Sequence, residues 1–321
     1  MTNLPSQEYW KKRSLRTLLE NEKTAEEYNQ ELLQAYNSVA DNISKELEAF
    51  YGKYAEDNKI SLAQTRRRLS SRELGDYNRR VKKYLSEVKK LGDNVMSAEY
   101  KKNLEEMSGR AYVSRMEELM TNIRHEIEMV SAKNNIDLGT TLESAYEDGF
   151  YRTVFDIQKR SGMGVSFTTP GKVQLQRAVR TRWNGRNYSD SIWQNKNKLI
   201  AELETIIPQE FVRGRGLSEV SRELAGRVGV SYRNARRLVR TEMNYVSNKG
   251  TLDAYKETGV VDEYIFLATL DSRTSVICAT MDGKKVELKE GVQGVTIPPL
   301  HPNCRSTTIP YFKDDEFNDR V

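Results

Sequence analysis

The sequence predicts a mainly helical protein that closes with a smaller α+β part. Three observations carry this reading. Apolar residues recur at steps of three and four over most of the first 160 positions. Composition then breaks at Ser161-Gly-Met-Gly164 and Thr168-Thr-Pro170-Gly171. Beyond Gly259 the apolar period shifts toward two. The expected division is an elongated helical arm over residues 1–165, a domain of helices packed on a small β-sheet over 166–312, and a frayed tail over 313–321.

The arm opens with Tyr9-Trp10-Lys-Lys-Arg13, read either as an anchor onto a partner or as the first turn of a helix. Thr24 and Glu27 have the spacing of a capping box. From there Tyr28, Leu32, Tyr36, Val39, Ile43, Leu47, Phe50 and Tyr54 form one stripe along some thirty residues of helix. Leu74, Tyr77, Val81, Tyr84, Leu85, Val88 and Leu91 line a second helix, with Gly92-Asp93-Asn94 as its stop. Tyr112, Met116, Leu119, Ile123, Ile127 and Val130 line a third, and a further helix is expected from about Leu142 to Lys159. These seams hold no catalytic constellation, and His125 beside the third reads as a surface or packing residue. Short breaks between helices favour antiparallel pairing into a bundle.

Helices resume over Val173–Arg180 and, after the turn Trp183–Tyr188, over Ile192–Ile207. Ser218 is placed to cap another. A long helix is expected from about Tyr232 to Thr258, buried through Ala235, Leu238, Val239, Tyr245 and Val246 and ended by Gly259. Strands are expected at Tyr264–Ala268, Lys285–Leu288 and Ser306–Pro310. The stretch from Ser218 to Leu238 also imitates a helix-turn-helix. Ala225, Gly229 and Ala235 would sit at the crossing, and Ser231 would cap a recognition helix bearing Arg233, Arg236, Arg237 and Arg240.

Composition excludes several classes. The 321 residues are 37% hydrophobic and 30% charged, with a mean hydropathy of −0.72. No apolar run approaches the length of a membrane span, and no basic-then-apolar leader suggests secretion. No Walker-type Gly-Lys-Ser/Thr follows the lone Gly-x-Gly. Two cysteines make no disulfide framework, which fits synthesis in reducing cytoplasm. The net charge of +5 is uneven: between Lys172 and Arg240 there are fifteen Lys and Arg against six Asp and Glu, a local excess of +9. That block is either a polyanion-facing surface, with DNA the natural partner, or a well-solvated helical face.

Special chemistry concentrates near the C-terminus. Asp271-Ser-Arg273-Thr274-Ser275 leads into Cys278 and Asp282-Gly283, and Pro298-Pro299 leads into His301-Pro302-Asn303-Cys304-Arg305-Ser306. Two turns each carrying a thiol read as knuckles brought together over the small sheet. Cys278, His301 and Cys304 could supply three zinc ligands, with Asp271 or Asp282 as the fourth. The same residues also read as a pair of buried thiols or a disulfide, and a Cys–His nucleophile is a third reading that nothing in the sequence activates. Upstream, Arg240-Thr241-Glu242 and the Asp271/Arg273 loop carry charges that could pin helix to loop as an ion network, or form an active site.

The order of helix, Asp-x-Arg-Thr loop, Cys-x-x-x-Asp-Gly turn and His-Pro-Asn-Cys-Arg turn resembles the phage Mu F-like head morphogenesis proteins, over roughly residues 175–310 with a weaker echo at Tyr9-Trp10. The resemblance implies a minor capsid protein and not an enzyme, without a cofactor beyond the candidate zinc. It would assemble at the portal vertex of a tailed phage or prophage with portal and capsid or scaffold proteins. Such a protein is built in the host cytoplasm, enters the virion and takes part in DNA packaging or ejection. It implies that the matching motif residues Arg240, Glu242, Asp271, Arg273, Asp282, Gly283, His301, Pro302 and Cys304 hold the domain together. Many relatives carry a Cys-x-x-Cys at the first turn and Cys-Arg-Cys at the second. Ser275 and Ser306 stand at the extra positions here, so the resemblance implies that Cys278 and Cys304 form the remaining close pair. A DNA-binding protein reading through residues 218–240 is the alternative. An enzyme built on Arg240, Glu242, Asp271 and Cys278 is a third reading. The many tyrosines in the seams favour an arm that gains order on docking, with residues 1–165 carrying the portal or capsid contact.

Overall fold

The computed structural model describes residues 7–92, 98–161 and 167–312. The expected stop at Asp93-Asn94, the boundary at 165 and the tail lie outside them in whole or part. Among the described residues the chain forms α1 (Gln7–Tyr54), α2 (Leu62–Thr65), α3 (Ser71–Leu91), α4 (Ala98–Met107), α5 (Arg115–Ser161), α6 (Lys172–Arg180), α7 (Tyr188–Val212), α8 (Leu217–Thr258) and α9 (Val276–Met281). Three strands follow α8: β1 (Glu263–Leu267), β2 (Lys285–Glu287) and β3 (Thr307–Tyr311). The expectation of a mainly helical chain with a small sheet near its end is met.

Several helices are longer than expected, each for a visible reason. Thr24 caps nothing: it lies inside α1, and its hydroxyl donates to the Glu20 carbonyl at 3.1 Å. The stripe simply starts earlier, because Trp10, Leu18 and Ala25 are buried too. The third and fourth expected helices are one, α5, with Leu138 and Leu142 fully buried across the expected gap. Tyr112 falls outside it, 62% exposed. Capping boxes form instead at Ser61 with Gln64, Ser70 with Glu73 and Ser114 with Glu117.

The turn required by a helix-turn-helix is absent, since α8 runs unbroken from Leu217 to Thr258. Val220, Leu224 and Val228, then Ala235, Val239, Met243 and Val246, continue one buried stripe. Ala225 and Gly226 are exposed, and a Cβ added at Gly226 would meet nothing within 4 Å. Ser218 is in the first turn of α8 rather than capping it.

Two compact units divide the chain, and both draw on residues before and after position 165. One comprises residues 31–137 and 192–235, the other 1–30, 138–191 and 236–321. The core of the first holds Tyr77, Val81, Tyr84, Val88, Tyr100, Leu104 and Val113. His125 is a packing residue in it: the ring stacks on Tyr84 at 3.7 Å and bonds Glu87 and Tyr100, each at 2.8 Å. Lys196, counted above in the basic block, is buried there with its ammonium on Glu128 at 2.8 and 2.9 Å.

The second unit holds the sheet, ordered β2-β1-β3 and antiparallel throughout, with Tyr264 opposite Val286 and Ile265 opposite Ile309. Trp10 belongs to its core with Ile157, Leu252, Tyr255, Ile265 and Ile309. Its ring lies 5.5 Å from that of Phe312, so the aromatic start of the chain anchors onto the chain's own C-terminal part. Within this unit α5 and α8 approach backbone to backbone. A Cβ on Gly149 would stand 2.6 Å from the Ser247 carbonyl oxygen, and one on Gly250 would strike that of Tyr146.

Candidate functional site

The two knuckles meet over one face of β1. Phe266 and Ala268 pack with Cys278, Cys304, Met281 and Leu300 into a small apolar cluster. Local geometry explains each turn. The first closes around Asp271, whose carboxylate accepts from the Arg273 amide at 2.8 Å while the Asp271 amide donates to Thr274 Oγ1 at 2.7 Å. Ser275 then caps α9, accepting from the Cys278 amide at 3.2 Å. Asp282 Oδ1 accepts from the Ala268 amide at 2.8 Å, and Gly283, at φ +75, donates to the Phe266 carbonyl at 2.9 Å. Together they tie the end of α9 to β1. The second turn is closed by the Cys304 amide on the His301 carbonyl at 3.2 Å, with Asn303 at φ +58, a conformation asparagine tolerates.

These turns bring Cys278, His301 and Cys304 together, as expected. The sulfurs are 3.6 Å apart, and Cys278 Sγ lies 3.2 Å from His301 Nε2. Both thiols are free and buried. His301 Nδ1 is 2.9 Å from the Pro302 carbonyl oxygen, which can only accept, so the proton sits on Nδ1 and Nε2 presents its lone pair to the thiols. The Ser275 hydroxyl donates to Nε2 at 2.8 Å. The hydrogen bond from Cys304, helped by Ser306, holds the Cys278 thiol below its ordinary value. The same bond to Cys278, with burial, pushes Cys304 up.

Asp271 and Asp282 do not join this group. Both Asp271 oxygens are held by the Arg305 guanidinium, at 2.5 and 2.7 Å, which keeps the carboxyl well below the usual carboxylate range. Asp282 is used on the backbone of β1. Among the described residues the metal-competent set is Cys278, His301 and Cys304, with ligand atoms within 4.8 Å of one another.

The network expected to pin α8 to the Asp271 loop has other members than those read from sequence. Arg273 stays with Asp271 in its own loop, at 3.6 Å. Glu242 is 4% exposed and accepts from Trp183 Nε1 at 3.3 Å; burial raises its carboxyl to about 7. Arg240 lines a cleft with Trp10, Asn21, Asn244 and Arg305. What fastens the helix to the second turn is uncharged: Thr241 Oγ1 accepts from the Asn303 amide at 3.0 Å, and Asn244 Nδ2 donates to the Ser306 carbonyl at 2.9 Å. Sequence reading missed Asn244 and gave Trp183 and Arg305 no partner. For Arg305 the signal was its place in the second turn, but its partner is 34 residues away.

The residues of the basic block fall in both compact units. Arg182 pairs with Asp190, Arg213 and Arg215 with Glu210, Arg227 with Glu223 and Arg236 with Glu26. Arg233 and Arg237 are exposed. No helix among the described residues is long and apolar enough to cross a membrane.

Comparison with known proteins finds the site inside a segment that matches a family model. Residues 201–309 match the model of the Phage Mu protein F like protein family. The minor head protein GP7 of Bacillus phage SPP1 is 27% identical over 215 residues, 60% of this chain and 70% of that protein. The NAD(+)–arginine ADP-ribosyltransferase EFV of Enterococcus faecalis is 23% identical over 228 residues, 65% of this chain but 46% of that protein. No solved structure gives a significant match.

Proposed function

We propose, on the premise that residues 201–309 place this chain in the Phage Mu protein F like family, that it is a minor head protein acting in phage head morphogenesis. Its expected partners are the portal and capsid or scaffold proteins, and its place in the virion the portal vertex or capsid interior. The observation that carries this reading is how the motif side chains are used. Asp271 is spent on Arg305, Asp282 on the β1 backbone, Thr241 on Asn303 and Glu242 on Trp183. Residues so engaged hold two turns, a helix and a sheet in register, the work of a structural component. The transferase named among the relatives extends well beyond the match, and its activity is not carried to this chain.

Co-expression with the portal and major capsid proteins of the encoding phage or prophage tests the reading. The full chain should co-purify with the portal and be retained in procapsids. Heads that assemble and fill with DNA equally well without it would refute the proposal. DNA contact in the head, if made through Arg233 and Arg237, should be non-specific and should weaken with salt; neutralising the pair should flatten that dependence.

A further inference from the structure

We propose that Cys278, His301 and Cys304 form a binding site for a single zinc ion, which staples the two turns together over β1. The geometry favours an ion over a bare thiol pair. Zinc–sulfur bonds of about 2.3 Å and zinc–nitrogen bonds of about 2.0 Å, set at tetrahedral angles, require S···S near 3.8 Å and S···N near 3.5 Å. The protein places the two sulfurs 3.6 Å apart and Cys278 Sγ 3.2 Å from Nε2. These two pairs need open by only a few tenths of an ångström to admit the ion, and all three ligand atoms already lie within 4.8 Å of one another, whereas a disulfide at about 2.05 Å demands that the sulfurs close by far more.

The surroundings support the same assignment. Zinc-ligating histidines commonly donate their other ring N–H to a carbonyl or carboxylate, which fixes the tautomer and aims the free nitrogen. His301 does this on Pro302, at 2.9 Å. Two sulfurs with a neutral imidazole are a donor set of the softness zinc takes. The fourth position falls to a water or to the Ser275 hydroxyl, already 2.8 Å from Nε2. His301 is half-buried while both cysteines are buried, so entry is from the histidine side. On binding, each S–H bond gives way to a sulfur–zinc bond, and its proton goes to solvent.

Cobalt(II) serves as the spectroscopic probe. The full-length chain, reduced and stripped with a chelator, should take up one equivalent with thiolate-to-cobalt charge-transfer bands and the visible bands of tetrahedral coordination. Zinc should displace the cobalt. His301→Gln should leave the charge-transfer bands but weaken binding by more than about tenfold, and Cys278→Ser should diminish them. Because these variants could be unstable, a second measurement uses the unaltered protein. Zinc should protect both thiols from alkylation and from oxidation to a disulfide. Reduced protein that shows no thiolate-to-cobalt band overturns the proposal. So does a pair of thiols that alkylate or oxidise at the same rate with and without zinc.

Discussion

Glu242 shows most clearly how a residue legible as important can be misread in role. Its place in Arg240-Thr241-Glu242 suggested a charge in an ion network, yet it is buried with an indole N–H as partner. Burial raises its carboxyl to about 7 from an ordinary value of 4.5, so the folded state holds this proton where the unfolded chain has lost it. The stabilising contribution is present below about pH 4.5 and is lost as pH rises toward 7. Glu242→Gln keeps an acceptor and removes the charge. The variant should gain on the parent between pH 5 and 7, by at most about 1.4 kcal/mol per pH unit crossed. Denaturant melts at several pH values read the difference, and parallel pH profiles would refute the burial argument. The Lys196–Glu128 pair gives a second residue-scale prediction. Both side chains are almost fully buried, so Lys196→Met should cost on the order of 3–5 kcal/mol at most, since Arg124, 3.7 Å away, would remain beside the carboxylate. A loss below 1 kcal/mol, measured by chemical denaturation, would show that water reaches the site.

Elements were legible where their signal is local. The seams of α1 and α3, the C-cap at Gly259 and all three strands were readable because periodicity and turn chemistry act over a few residues. Helix continuity was not. Gly229 looks like the turn of a helix-turn-helix, since a glycine costs up to about 1 kcal/mol in a helix interior. The stripe from Val220 through Val246 outweighs that, and it is visible only once burial is known. Partners distant in sequence were also hidden: nothing local ties Trp10 to Phe312, or Asp271 to Arg305 rather than to Arg240. The crossing of α5 and α8 in the second unit supplies a test at this scale. Gly250→Ala forces a methyl against the Tyr146 carbonyl and should lower stability by roughly 1–3 kcal/mol or more through overpacking. Gly226→Ala, which meets nothing, should be neutral or stabilising. Equal effects of the two substitutions would contradict the close approach.

At the scale of the molecule, the sequence boundary at residue 165 and the compact units divide the chain differently. Residues 1–30 share a unit with the sheet and the two knuckles, so a fragment beginning at 166 would lose Trp10 and Ile157 from the core around β1. Failure of such a fragment to enter procapsids would therefore not assign the capsid contact to the first 165 residues. Substitutions in the full chain are the better instrument. The central proposal is that the motif residues serve the fold of a head component. Its most direct test is a phage complementation series carrying Asp271→Asn, Thr241→Val, Glu242→Gln and Arg305→Lys, with head yield measured beside the melting temperature of each purified protein. Head yield should follow thermal stability across the series, with Glu242→Gln close to the parent. A variant that melts like the parent and enters heads normally, yet gives no infectious phage, would contradict the claim and return the motif to catalysis.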